Sequence, residues 1–135
     1  MQNKSLAKDY VSRAKKRLAA LTALYKEEAF ADVVRESQET VELALKGLLR
    51  HCNIEVPRIH DVSGIMENEI DKLPAQVKKE LKRYVQISKS LRRDRELAFY
   101  GSEDLTPEEF YKEEDAKNAM TSAQWVVGEL VKIVL

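Results

Sequence analysis

The feature that most constrains this fold is a set of four long stretches in which apolar residues recur every three or four positions. This spacing places the apolar side chains on one face of an α-helix. No stretch shows the period-two alternation of a half-buried strand, and no internal repeat is present. The four series are Leu6, Tyr10, Ala14, Leu18, Leu21 and Tyr25; Phe30, Val34, Ser37, Val41, Leu45, Leu48 and Cys52; Val77, Leu81, Tyr84, Ser88 and Leu91; and Ala116, Met120, Ala123, Val127, Leu130 and Val134.

The segments between these series predict how the helices connect. A short link over 26–29 favours an antiparallel hairpin of the first two helices, and 53–61, which contains Pro57, is predicted as a loop. A short helix is expected over 62–72, and Pro74 suits the first position of a fourth helix that runs to about residue 99 and ends at Gly101. Thr106, Pro107 and Glu109 predict a capped single turn. The 135 residues are therefore expected to form one all-α domain, an antiparallel up-and-down bundle of four long helices plus one short helix.

Charge is balanced overall but unevenly placed along the chain. The formal net charge is zero, yet residues 78–96 hold eight basic against three acidic residues, a net of +5. Residues 1–17 also carry +5, from six basic and one acidic residue, and residues 101–115 carry −6, from one basic and seven acidic residues. The pattern predicts two basic helices, and an acidic loop that is either solvated or able to dock on a basic partner.

Several classes of site have no support in the sequence. The single cysteine, Cys52, excludes an internal disulfide and a multi-cysteine zinc site, and it is expected in the core. Glycine-rich phosphate loops, His-Glu-x-x-His and Glu-x-x-His motifs are absent, so neither a metal nor another cofactor is expected. No apolar run is long enough for a membrane helix or a signal peptide, and the expected location is the cytoplasm.

One arginine falls on an apolar stripe. The position that continues the third series past Leu91 is Arg95, whose guanidinium keeps its charge and is costly to bury alone. Arg95 must therefore meet a carboxylate, for which Glu39 and Glu42 are candidates, or an open cleft, or a ligand. Glu42 also has Lys46 four residues later as a surface partner.

Three segments together resemble one protein family. Gln38, Glu42, Lys46 and Leu49 match the Gln-x-x-x-Glu-x-x-x-Lys-x-x-Leu pattern common in HEPN domains. The segment 60–62, His-Asp-Val, resembles the His-Asp-Leu that opens the short third helix of that family. RELAFYG and EEFYKEEDAKNAM are similar to its fourth and fifth helices and the loop between them.

The resemblance implies a helical bundle that forms homodimers and often acts as the partner of a small nucleotidyltransferase in toxin–antitoxin pairs. Many members are metal-independent ribonucleases, and they carry an Arg, four to six residues, and then a His that face the dimer cleft. Here no His follows His60, and Tyr100 stands five residues after Arg95. The chain is therefore predicted to be a non-catalytic subunit that binds nucleotide or RNA phosphate. The expected ligand-binding residues are Arg92, Arg93, Arg95, Glu42, Lys46 and Tyr100.

Two other functions stay open. One is a ribonuclease with a degenerate site in which Arg95 and Tyr100, or a distant His60, act; the other is a dimeric interaction module without a ligand. Arg92 and Arg93 could be only a solvated helix end, and Tyr100 is expected to be a packing aromatic with a bonded hydroxyl. His60 is expected to start a helix beside Asp61, the natural N-cap.

Overall fold

A computed structural model describes residues 2–101 and 105–135, apart from the side chains of residues 2 and 94–99. The described residues form helices and connecting turns, and none of them lies in a strand. The elements are α1 (Gln2–Lys26), α2 (Phe30–His51), α3 (Ser63–Asn68), a 3-10 turn (Ile70–Lys72), α4 (Ala75–Lys79), α5 (Leu81–Tyr100), α6 (Pro107–Phe110) and α7 (Glu113–Val134). The predicted all-α bundle with four long helices is confirmed, and no helix in the described ranges has the length and apolarity to cross a membrane.

The second helix, α2, is the centre of the bundle, because α1, α5 and α7 all pack against it. By contrast, α5 and α7 touch each other very little. More than half of α2 is therefore buried, including polar positions that a helix on the surface would expose. Its buried residues are Ala31, Val33, Val34, Ser37, Gln38, Thr40, Val41, Ala44, Leu45, Gly47, Leu48 and Leu49.

The predicted inner face of α1 is wrong by one residue in its first half, whereas Ala14 and Leu21 are fully buried as predicted. Ala7 and Val11 are fully buried, whereas Leu6 is 36 % exposed and Tyr10 is only half-buried. The physical reason is close packing, because an ideal Cβ on Gly47 of α2 would lie 2.8 Å from Val11 Cγ2 and 3.3 Å from the Ala7 carbonyl oxygen. Small side chains let the two helices approach, and the larger ones move to the edge of the contact.

The helix predicted from Pro74 to residue 99 is in fact two helices. Glu80 separates α4 from α5 with φ −108° and ψ 19°, away from helical values. The single short helix expected over 62–72 is likewise replaced by α3 and the 3-10 turn. The capped turn is confirmed, since Thr106 Oγ1 accepts a hydrogen bond from the Glu109 N–H at 3.2 Å.

Asp61 fixes the long loop after α2 to the rest of the bundle. Its Oδ1 accepts hydrogen bonds from the Ser63 N–H at 2.9 Å and from the buried Ser88 hydroxyl of α5 at 2.7 Å. Partial burial opposes ionisation of Asp61, but the hydrogen bonds from Ser63 and Ser88 and the nearby charge of Lys89 outweigh it, and its pKa is lowered. The carboxylate thus joins the start of α3 to α5.

We expect Gly47→Ala to destabilise the protein. The added methyl forces α1 away from α2, which typically costs about 1–3 kcal/mol and exceeds the gain of about 1 kcal/mol from better helix propensity. Gly128→Ala is the matched control, because an ideal Cβ there meets nothing within 4 Å. Urea unfolding should show Gly128→Ala as the more stable variant, and equal stabilities would contradict the close packing at Gly47.

We expect Asp61→Asn to lower the free energy of unfolding by about 1 kcal/mol at pH 7, because charged acceptors form the stronger hydrogen bonds. The folded pKa is lowered, so this stability is fully present above the unfolded pKa of about 3.9 and is lost as the pH falls through the folded value. Unfolding in urea at pH 7 and at pH 3 checks this. Asp71→Asn, at an exposed position, should have no effect at either pH, and a pH-independent loss in Asp61→Asn would contradict the assignment.

Candidate functional site

The predicted arginines of α5 lie at its second half. Arg92 is half-buried, and Arg93 is exposed on the wall of a cleft between α5 and α7. The side chain of Arg95 lies outside the described residues, so its facing direction and its expected pairing with Glu42 or Glu39 remain predictions. Of the three arginines predicted to bind a ligand, Arg93 is the one whose described side chain lines this cleft.

The α5–α7 cleft has a volume of about 520 Å³. It exists because both helices rest on α2 without closing on each other. Its floor is apolar, with Val34, Ile87, Leu91 and Ala119, and its walls are polar. The polar wall residues are Arg83, Gln86, Ser90 and Arg93 on α5 and Asp115, Asn118 and Ser122 on α7.

One end of this cleft is built by an arginine on an aromatic ring. The Arg83 guanidinium carbon lies 3.9 Å from the ring centroid of Trp125, which is the single tryptophan of the chain. Trp125 in turn packs against the buried ring of Tyr84, with centroids 4.8 Å apart. Stacking of this kind restrains the guanidinium plane and leaves its N–H edges available for an anion.

Tyr100 lies at the end of α5 and is 76 % exposed, so its ring is not part of the core. The chain turns immediately after it, at Gly101, which has φ +79°. A Cβ on Gly101 would lie 2.7 Å from the Leu105 carbonyl oxygen and 2.8 Å from Pro107 Cδ. Glycine accommodates both the positive φ and this close approach, so the chain can turn directly after Tyr100.

Glu42 and Lys46 belong to a second cluster, in a cleft between α1 and α2. Glu42 accepts hydrogen bonds from Gln38 Nε2 at 3.0 Å and from Lys46 Nζ at 2.9 Å, and His60 Nδ1 lies 2.9 Å from its Oε1. Burial opposes the charge on Glu42, but the hydrogen bonds from Lys46, Gln38 and His60 outweigh it and the pKa is lowered. The carboxylate is ionised at neutral pH, and the expected Glu42–Lys46 pair is present.

This second cluster lines the α1–α2 cleft, which has a volume of about 350 Å³. Arg17 of α1 lies in it and approaches Glu39, with Nη1 3.7 Å from Glu39 Oε2. The other carboxylate oxygen, Glu39 Oε1, lies 3.3 Å from Arg35 Nη2. Both carboxylates that were candidates for Arg95 therefore have basic partners nearby on α1 and α2.

His60 does not have the predicted role. It lies in the loop before α3 and contacts Glu42, 18 residues earlier, whereas Asp61 supplies the hydrogen bond to the start of α3. Spacing in the sequence could not reveal the His60–Glu42 contact, because it depends on how the loop folds back across α2.

The predicted binding residues thus fall in three places. Arg92 and Arg93 lie on α5, Tyr100 lies at its end, and Glu42 and Lys46 line the separate α1–α2 cleft. The sequence did not reveal the role of Arg83 or its contact with Trp125. The basic run of residues 78–96 indicated cations in this region, but it does not show which of the eight faces a cleft. Within the described ranges, no three His, Cys, Asp or Glu side chains are grouped so as to hold a metal ion.

Comparison with known proteins identifies the family. The sequence profile described as HEPN domain matches residues 7–134, nearly the whole chain. No curated protein and no solved structure matches the chain. The profile covers all four long helices, both clefts and the loop that carries His60 and Asp61, which is the arrangement that the order of motifs predicted. This chain therefore belongs to the HEPN domain family.

Proposed function

We propose that this protein is a non-catalytic HEPN subunit that pairs with a small nucleotidyltransferase and binds a nucleotide or RNA phosphate through the arginines of α5. The observation that carries the proposal is the composition of α5. Arg92, Arg93 and Arg95 fall within four positions, and no histidine follows them anywhere in the sequence. The cations that hold phosphate are retained, and the imidazole that would assist proton transfer is absent.

The environment of Arg93 supports phosphate contact. It is exposed, and among the side chains that the structure describes it has no ion pair. A guanidinium can bind a phosphate with two parallel hydrogen bonds, which gives both affinity and orientation. Glu42 and Lys46 neutralise each other at 2.9 Å in the separate α1–α2 cleft. We therefore assign this pair to holding the loop through His60 rather than to the ligand.

The position of Tyr100 favours one alternative, a metal-independent ribonuclease with Arg95 and Tyr100 in its site. The ring is 76 % exposed at the end of α5 and is open to a large substrate such as RNA. Against this, a phenol hydroxyl is a poorer base at neutral pH than the imidazole it would replace. Cleavage of RNA that survives EDTA and disappears in Arg95→Ala would establish the alternative, and cleavage equal in both proteins would indicate a contaminant.

We expect nucleotides or short RNA to raise the melting temperature. A ligand at ten times its dissociation constant stabilises the folded state by about 1.4 kcal/mol, or about 4 °C for a chain of this size. The shift should fall by at least half in Arg93→Ala and in Arg95→Ala. It should stay unchanged in Arg58→Ala, which removes an exposed cation from the loop before α3. Differential scanning fluorimetry measures all four proteins. Equal shifts in all of them would contradict phosphate binding at α5.

We expect co-expression with a small nucleotidyltransferase encoded beside this protein to give one complex in size-exclusion chromatography. The test is independent of phosphate binding, because Arg95→Ala should still form the complex. Separate elution of the two proteins at micromolar concentration would contradict the partner assignment and favour the dimeric interaction module.

A further inference from the structure

We propose that the α5–α7 cleft is a docking groove for an amphipathic helix of a partner protein, with acidic residues at both ends of its apolar face. This surface goes beyond the proposed function. It does not require phosphate binding by α5, and its main anchor, Arg83, is not among the arginines assigned to phosphate.

The groove has the shape of the space that one more helix of the bundle would fill. α5 and α7 both rest on α2 but barely touch each other, and a cleft of about 520 Å³ lies between them. Its floor consists of Val34, Ile87, Leu91 and Ala119, which belong to the core and keep between 2 and 9 % of their surface exposed. Side chains inserted from above would extend the core, as they do when an amphipathic helix binds in a hydrophobic groove.

The charges at the two ends define the partner's chemistry. Arg83 and Arg93 are ten residues apart on one helix, which corresponds to about 15 Å at a rise of 1.5 Å per residue. Neither forms an ion pair with any other described residue. The Arg83 guanidinium carbon lies 3.9 Å from the centroid of the Trp125 ring, and this stacking leaves the guanidinium N–H groups available to a partner. A partner helix can pair with both guanidiniums through Glu or Asp side chains that are ten or eleven positions apart. The three helical turns between those two acidic residues would carry apolar side chains at spacings of three and four, which insert into the groove.

The walls favour a helix over other occupants. Within the described ranges no strand is present, so no sheet edge is available to receive an extended peptide. Single-stranded RNA binds to aromatic side chains distributed along a groove for base stacking. Here Phe110 and Tyr111 both lie at one end, and the Trp125 ring at the other end is stacked by Arg83. Asp115 adds a carboxylate to the lining near that end, which opposes a continuous polyphosphate.

Asp115 also makes the groove asymmetric. α6, which carries Phe110, packs against α5 at one end of the cleft. Arg93 and Asp115 lie near this end, and Arg83 and Trp125 lie at the opposite end. One oxygen of Asp115 accepts the Lys112 N–H at 2.9 Å. An acidic residue of the partner is therefore attracted more strongly at Arg83 than at Arg93.

The test uses two designed 18-residue helical peptides labelled with fluorescein and the full-length protein. The acidic peptide has Glu residues ten positions apart on either side of leucines at spacings of three and four. Its matched control has Lys in place of those Glu residues. Fluorescence anisotropy should show that the acidic peptide binds at least tenfold more tightly than the Lys peptide, and Trp125 emission should change on binding.

Variants locate the binding site. Arg83→Glu should weaken binding of the acidic peptide at least tenfold and Arg93→Glu by less, while the Lys peptide should bind Arg83→Glu more tightly than it binds the unmodified protein. Ser90→Glu gives a second like charge on the same wall without removing the Trp125 contact, and it should also weaken binding. Lys79→Glu makes the same charge change as Arg83→Glu at an exposed position outside the cleft and should have no effect.

Three results would overturn the proposal. The first is that the acidic peptide binds no more tightly than the Lys peptide, or does not bind. The second is that a single-stranded RNA binds with the same dependence on Arg83 and displaces the peptide, which would make the groove a nucleic-acid site. The third is concentration-dependent self-association lost in Arg83→Glu, which would show that a second copy of this chain occupies the groove.

Discussion

The close contact between α1 and α2 at Gly47 is the constraint on which the rest of the bundle depends. With no side chain at this position, the two helices approach until Val11 and the Ala7 carbonyl lie against the Gly47 backbone. α1 therefore packs closely along one side of α2, and the hairpin forms a base on which α5 and α7 pack. Buried apolar area along α2 is then the largest source of stability, because three helices remove it from water at once.

The central position of α2 also explains where the clefts are. A helix has a limited circumference, so α5 and α7 can both rest on α2 only by lying on different parts of it, and this keeps them apart. The α5–α7 cleft is what remains between them. On another side of α2, the Glu42 carboxylate lies in the α1–α2 cleft and is ionised because Lys46, Gln38 and His60 surround it. Packing and electrostatics thus have a common origin in the burial of one helix.

The sequence predicted much of the fold and less of the site. The buried faces of α2, α5 and α7 follow their apolar series closely, with Val41, Tyr84 and Val127 as examples. The first half of the α1 face does not, because Tyr10 is amphipathic and fits the edge of a contact as well as its centre. The break between α4 and α5 at Glu80 could not be predicted, because no proline or glycine stands there. The contacts of His60 with Glu42 and of Arg83 with Trp125 join residues 18 and 42 positions apart, and periodicity carries no information about such pairs.

The sequence by itself determined the helical class, the number of long helices, the family pattern and the absence of a histidine after the α5 arginines. These properties depend on local spacing and on residue identity, which do not change with the path of the chain. Tertiary structure alone decided that Arg83 and Arg93 line the α5–α7 cleft, that Glu42 and Lys46 line a different cleft, and that Tyr100 is exposed before the turn at Gly101. Those properties depend on how the helices pack and where the chain turns, which local spacing in the sequence does not specify.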